Sequence, residues 1–483
     1  MNLNQIFKPC YEWLQKSVPV LSPYGAYALK QLLSQAWPEP GFLKKEFNRL
    51  DRTLEVLNSD PSLFDRFAVI FSELRDISGT LKSLEQQQAL DEVEIFEIKT
   101  LALQLIDIAS LYQHCRLDLD EIEFVDLRPL VRLLNPEEIV TSSFYIYECY
   151  SFELQKIRQD KRRLEQQIIA SDQVDEKESL RKQRSEVIAL EKRAEFKVRQ
   201  QLTAKLGEWL DQIRQNLLAL TRLEMLLARA VLARRWPSCR PEFTADSGSL
   251  MMVEAINPET AVVLEAAGKQ FCPVSIELKP GVTILTGANM GGKTVAMLTV
   301  AFNAQLARLG FYPFARRLKL PAFAFINFVG GDSQNQQAGL SSFGAEIINL
   351  GQVAASIKSG VGLALFDEFA RSTNPCEGRR FVQALCEFLQ CHKTVGLVAT
   401  HYDGIDLSAA EFYQVVGLKN ADSSTLPQVS GDPQAILNRL CANMDYRLQK
   451  VEGKYRVPQD ALKIAGLLEA DPDFMKILKK FYD

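Results

Sequence analysis

Among nine cysteines the chain has no CxxC pair, and its three histidines offer no zinc-ligand spacing. Scattered cysteines of this kind read as reduced thiols rather than a metal site or a disulfide framework. No apolar run approaches the roughly 18 residues of a membrane span. The N-terminal MNLNQIFKPCYEWLQKS lacks a basic stretch followed by an apolar one, so export is not supported either. A soluble, cytoplasmic protein without membrane partners is the expectation. Positive charge is not in excess: 56 Lys and Arg face 60 Asp and Glu, a net charge of −4. Any nucleic-acid contact must then be local.

Proline and glycine breakers are nearly missing from residues 151–236, where Gly207 stands alone. A helix needs a breaker to end it. The polar interruption ASDQVDE, residues 170–176, reads as a reversal, with Asp172 or Asp175 as the cap. This predicts antiparallel helical arms of about 20 and about 60 residues, the longer spanning about 90 Å at the helical rise. Such a helix exceeds what a compact domain needs and suggests a lever. Its outer part, residues 177–199, carries eight basic and four acidic residues. That excess suits either a phosphate-contacting tip or a solvated face with Glu178–Lys182 and Glu195–Arg199 pairs.

The 483 residues suit about three domains. Residues 1–145 read as amphipathic helices, as in LSPYGAYALKQLLSQAW, and hold no catalytic constellation. After the linker WPSCRPEFTADSGS come the short β-type runs AVVLEA, VSIEL, VTILTG, FAFINFVGG, VGLALFDE and TVGLVATH. Helical segments alternate with several of them, which predicts an α/β domain with a mostly parallel sheet. The tail beyond 425 reads as helical. The expected order is a helical core (1–145), long lever helices (146–236), an α/β P-loop domain (237–425) and a C-terminal helical tail (426–483).

TGANMGGKTV, residues 286–295, fits G-x-x-x-x-G-K-[ST] from Gly287 to Thr294, between a strand-like VTIL and a helix-like segment. Glycines let backbone N–H groups turn in around a phosphate chain, with Gly287, Asn289, Gly291 and Gly292 in the cradle. Lys293 can reach the β- and γ-phosphates and the Thr294 hydroxyl can ligate Mg²⁺. LALFDE ends an apolar strand in Asp367 and Glu368, facing the crevice of such sheets. Asp367 would hold Mg²⁺ through water, and Glu368 would orient and deprotonate the attacking water. A third strand ends in VATHY, which puts His401 beside the same crevice. GGDSQNQQAGLSSFGAEI, residues 330–347, is a polar loop opening a helix at Ser341, Ser342 and Phe343. It is either a further anion site, serving another subunit's nucleotide, or an ordinary N-capped helix.

Taken in order, TGANMGGKT, GDSQNQQAGLSSF, LALFDEFARSTNPCEG and VATHY resemble the MutS family of ATPases, of the ABC-like class, and look most like its second bacterial subfamily. The likeness is specific over roughly 250–410. It implies an ATPase with ATP and Mg²⁺ held by Lys293, Thr294, Asp367 and Glu368. It further implies that Ser341 is the signature serine that meets the partner subunit's γ-phosphate, and that His401 lies beside the attacking water. Phe271 in KQFCPVSIEL would stack on adenine, and the tail would pack across a homodimer or a dimer with a paralogue. The chain departs from the family at Val274, at Asn257 before Pro258, and at Ala370 and Ser372, where the family favours glycines. No room is left for mismatch-reading, connector or nuclease-like domains, so a mismatch sensor is not expected.

Two clients remain open. One is DNA, bound by structure rather than by mismatch and embraced by paired levers in repair or recombination. The other is a protein: short MutS-like chains resemble reactivating ATPases of adenosylcobalamin-dependent aminomutases, which suits the acidic charge. A scaffold without hydrolysis is disfavoured by the intact Asp367–Glu368 pair.

Overall fold

The structure is a computed structural model that describes residues 8–34, 37–115, 117–119, 121–138, 144–244, 248–287, 292–330, 342–392, 394–405, 410–418, 444–451, 465 and 471–481. Two compact units interleave along the chain: Pro19–Lys30 with Arg49–Ala230, and Met1–Val18 and Gln31–Asn48 with Val231–Asp483. The first 145 residues, which read as one helical block, are thus divided. Aromatic anchors give the reason. Trp13, on α1 (Lys8–Ser17), packs edge-on against Phe302 and Phe314 at 5.4 and 5.7 Å, and the Trp37 ring carries the Arg308 guanidinium at 5.3 Å.

The helical unit draws on α2 (Pro23–Ser34) and α3 (Pro40–Ser59), then holds α4 (Leu63–Glu73), α5 (Ser78–Glu85), α6 (Glu92–His114) and α7 (Arg128–Leu134). After them come α8 (Phe152–Ala170), α9 (Val174–Gly207) and most of α10 (Leu210–Arg235). Glu224 of α10 is fully buried and accepts the backbone N–H of Leu21 and Ser22 at 2.7 and 2.8 Å, capping the start of α2. The reversal falls at 171–173, inside the expected interruption. Its cap is Gln173 without a side-chain bond, while Asp175 lies in the first turn of α9, where its charge suits the helix dipole. Instead of one arm of about 60 residues, α9 and α10 are 34 and 26 residues long. Gly207 is the physical reason: it is the poorest helix former short of proline. There the Glu208 and Trp209 N–H groups bond back three residues, to Lys205 and Leu206, in a tighter turn.

Arg158 of α8 fastens the antiparallel α8–α9 pair. Its guanidinium bonds Glu191 at 3.1 Å, Glu195 at 2.9 Å and the Ile146 carbonyl at 2.7 Å. Lys161 adds a second cation to Glu191 at 2.6 Å. Glu195 therefore serves the neighbouring helix rather than Arg199, which pairs with Glu92 at 3.5 Å. The expected i,i+4 pair at these positions gives way to bonds between elements.

The second unit contains two sheets. The smaller one has the order β1 (Glu242–Thr244), β5 (Arg317–Pro321), β2 (Leu250–Ala255), β3 (Val274–Leu278). The larger runs β10 (Met444–Val451), β9 (Glu411–Leu418), β4 (Gly281–Thr286), β8 (Val395–Ala399), β7 (Leu363–Asp367), β6 (Ile326–Val329). Its strands pair in parallel except β10, which is antiparallel to β9. The mostly parallel sheet is as expected, and its last strand lies within the tail that reads as helical. AVVLEA, expected as a strand, is the body of α11 (Pro258–Ala266). Asn257 explains it: its side chain accepts from the Thr260 N–H at 3.1 Å, and Pro258 starts the helix with its φ already set.

Between the sheets runs α12 (Lys293–Arg308), which meets strands of both and is buried almost all round. On the other face of the large sheet, α13 (Ser342–Ser359) and α14 (Pro375–Gln390) pack Val353, Ile357, Val382, Leu385 and Leu389 over Ile284, Phe366 and Val398. The chain closes with α15 (Pro472–Lys479). Among the described residues no helix is long and apolar enough to cross a membrane.

Candidate nucleotide site

Register builds the site. Leu285 of β4 and Asp367 of β7 both pair with Ala399 of β8, so the three central strands end in one row. Directly past that row the chain places Gly287, Glu368 and His401. Gly292 caps α12 with φ +85°, a left-handed conformation that glycine adopts without strain. It also leaves room for the Tyr446 ring, which a Cβ there would meet at 3.1 Å.

Lys293 is buried, and its Nζ donates to the Gly287 carbonyl at 2.8 Å. Burial lowers the ammonium's pKa below its ordinary value, against the pull of Glu368 and Asp367. The Thr294 hydroxyl donates to Asp367 Oδ2 at 2.6 Å, joining helix start and strand end. Burial raises the Asp367 carboxyl above its usual range, and the Thr294 bond and Lys293 oppose this only in part. Its other oxygen, Oδ1, is buried without a hydrogen-bond partner. A hydroxyl beside a carboxylate with a spare buried oxygen fits a hard cation such as Mg²⁺, which takes oxygen ligands and keeps several waters.

Glu368 adopts φ +50° and Ala370 φ +62°. A left-handed conformation costs a residue with a side chain about 1–2 kcal/mol. This strain lies in the loop that carries the expected base. The Glu368 N–H donates to the Ala399 carbonyl at 3.0 Å, and its carboxylate pairs with Arg371 at 2.6 Å. Ala370 and Ser372 depart from the family's glycines, yet Ala370 takes the glycine-like conformation. The His401 ring lies tilted by 38° against Tyr402, with centroids 4.3 Å apart. The ring keeps an exposed edge, but its packed surroundings lower its pKa, with Lys293 adding to this and Glu368 opposing it. These effects favour the neutral imidazole.

Lys293, Thr294, Asp367, Glu368 and His401 are therefore brought together as the motifs suggested. Phe271, half-buried, precedes β3 of the smaller sheet. Burial raises the pKa of its neighbour Cys272, which also feels Asp445 and Arg447 of β10. Ser341, Asn289 and Gly291 lie outside the described residues. Sequence reasoning missed Tyr446, Gly330, Glu346 and Tyr402. Tyr402 stands next to His401 and could have been found there, and Gly330 and Glu346 lie within the polar segment 330–347, whereas nothing in the local pattern marks Tyr446.

A parallel sheet whose strand ends gather a helix-start lysine, a threonine and two acids defines the class of P-loop nucleotide-binding domains. Within that class, residues 283–430 match MutS domain V. It is similar to "Endonuclease MutS2" of Thermomicrobium roseum, 32% identical over 249 residues, which cover 49% of this chain and 30% of that relative. It is also similar to "DNA mismatch repair protein MutS" of Natronomonas pharaonis, 28% identical over 302 residues, covering 61% and 33%. A second "Endonuclease MutS2", from Gemmatimonas aurantiaca, is 30% identical over 229 residues, covering 47% and 27%. The matched part of the chain thus spans about a third or less of these relatives' lengths.

Proposed function

We propose that this chain binds ATP with Mg²⁺, hydrolyses it to ADP and phosphate at sites shared between two subunits, and uses the energy to move α8–α10 around DNA. The convergence of Lys293, Thr294, Asp367 and Glu368 at one row of strand ends carries the chemical part of this reading. Lys293 would face the β- and γ-phosphates, whose negative charge restores the ammonium that burial disfavours. Thr294 and Asp367 would hold Mg²⁺, which when bound neutralises charge on the phosphate oxygens. Glu368 leaves Arg371 to orient a water and accept its proton as the water oxygen attacks the γ-phosphorus. The bond from that phosphorus to the β-bridging oxygen breaks, and its electrons leave with ADP. Neutral His401 holds the water or the γ-phosphate by hydrogen bonding.

Ser341 supplies donors to the nucleotide of the other subunit, so one chain alone hydrolyses slowly. A group given in trans can contribute about 10³–10⁵ in rate. A DNA client is supported by the relatives' printed names, an endonuclease and a mismatch repair protein.

Three variants test the site. Lys293→Ala should abolish ATP binding, while Glu368→Gln keeps affinity and stops turnover. Mixing Ser341→Arg chains with Glu368→Gln chains should restore activity, because one of the two sites then combines intact residues from both. Equal loss of affinity in the first two would contradict the assignments. Mixed dimers, confirmed by sedimentation yet inactive, would contradict the shared site.

A further inference from the structure

Two residues beyond Glu368, the backbone of Ala370 is gripped from both sides. Its N–H donates to Glu346 Oε2 at 2.6 Å, and its carbonyl accepts the Tyr402 hydroxyl at 3.1 Å. The other oxygen of Glu346, Oε1, accepts the Ser372 hydroxyl at 2.9 Å. Ala370 is fully buried and held at φ +62°, and Gly378 stands so close to Tyr402 and the Ala370 carbonyl that a side chain there would collide with both. The loop that leaves β7 is thus over-determined at one peptide. A carboxylate that accepts two donors at once makes strong, charge-assisted bonds. Glu346 lies in the first turn and a half of α13, whereas Tyr402 follows His401. Three separate elements therefore meet at the residue that sets the exit of the chain from Glu368.

We propose that Glu346 is a positioning residue for Glu368: through Ala370 and Ser372 it holds the 368–372 loop in its left-handed conformation and transmits the position of α13 to the base. This rests on the hydrolysis reading above. A shift at the start of α13 moves the Glu346 carboxylate, the Ala370 amide follows, and the Glu368 carboxylate turns with the loop. An ammonium or phosphate contact at Lys293 does not pass through this path, so nucleotide affinity is separate from it.

The experiment compares wild type, Glu346→Gln, Ser372→Ala, and Glu346→Gln combined with Ala370→Gly. Steady-state turnover and ATP affinity are measured alongside hydrogen exchange of the 366–373 segment. Glu346→Gln puts an N–H₂ group against one of the two donors. It should lower kcat by about 10- to 100-fold, as a small displacement of a reacting group does, with affinity kept within about twofold and faster exchange at Ala370. Ser372→Ala, which spares the fold if the first variant does not, should give the same split on a smaller scale. Adding Ala370→Gly should recover part of kcat, since glycine holds a positive φ unaided. Wild-type turnover matched by Glu346→Gln overturns the proposal, as does affinity falling in step with kcat. A wild-type chain that binds ATP without turnover instead fails the hydrolysis reading, while hydrogen exchange still reads the Glu346–Ala370 bond.

Discussion

Gly330 follows β6 at a point where a Cβ would lie 2.5 Å from Asp367 Cβ and 3.0 Å from the Asp367 carbonyl. The neighbour is backbone and the root of a buried side chain, so it cannot swing aside. A Gly330→Ala change must displace Asp367, and with it the oxygen that bonds Thr294 at 2.6 Å. Overpacking of this kind costs about 1–3 kcal/mol in stability, and misplacing a metal-holding group costs about 10²-fold in rate. The expected outcome is a higher Mg²⁺ requirement for turnover, with nucleotide affinity in the absence of Mg²⁺ little changed. Titrating turnover with Mg²⁺ checks it, and an unaltered Mg²⁺ dependence would contradict the role given to Asp367. Lys293, Thr294, Asp367 and Glu368 were legible in the sequence because the phosphate loop and the strand-end acids are local patterns. Gly330 and Glu346 were not: each matters through an atom more than 20 positions away.

At the scale of the element, the α8–α9 pair depends on a buried charge cluster. Arg158 and Glu191 have side chains only 9% and 10% exposed, so neither charge is left to water. Removing one partner from such a pair costs about 3–5 kcal/mol. Arg158→Ala should therefore speed amide exchange across α8 and α9 while leaving α14 unchanged. Burial alone would raise the Glu191 carboxyl, but the bonds and charges of Lys161 and Arg158 outweigh it and hold its pKa below the ordinary 4.5. A depressed carboxylate stabilises fully above its unfolded value and loses that contribution as pH falls through the folded one. The difference between wild type and Arg158→Ala should accordingly narrow as pH falls below about 4.5. A difference that stays constant over this range would assign the stability of the pair to packing alone. The composition of residues 151–236 made these helices and their reversal legible. The break at Gly207 was not taken from it, because glycine is tolerated within helices when packing supports them.

For the whole molecule, the question is what the helical pair holds. Three basic residues of the outer segment are engaged within the chain: Arg184 with Glu165 at 2.7 Å, Lys197 with Glu153 at 3.2 Å and Arg199 with Glu92 at 3.5 Å. Arg181 and Lys182 are exposed on α9 and stand at the outer end of the pair. If they contact DNA phosphates, binding to a branched duplex falls steeply with salt. Replacing both with Gln should reduce the slope of log affinity against log salt by about 1.8, about 0.9 for each phosphate contact. An unchanged slope, or no binding at low salt, would turn the proposal from DNA toward a protein client.

Local chemistry was enough to write most of the helices, the phosphate loop and the strand-end acids, since each is a pattern within a short stretch, and the same short motifs carry the resemblance to the MutS family. The pairing of β10 beyond the expected end of the sheet and the sharing of the N-terminal helices between two units came only from the tertiary structure. So did the grip of Glu346 and Tyr402 on Ala370. Strand pairing and long-range hydrogen bonds join residues whose separation along the chain carries no signal, and they exist only once the sheet has brought its ends into one row.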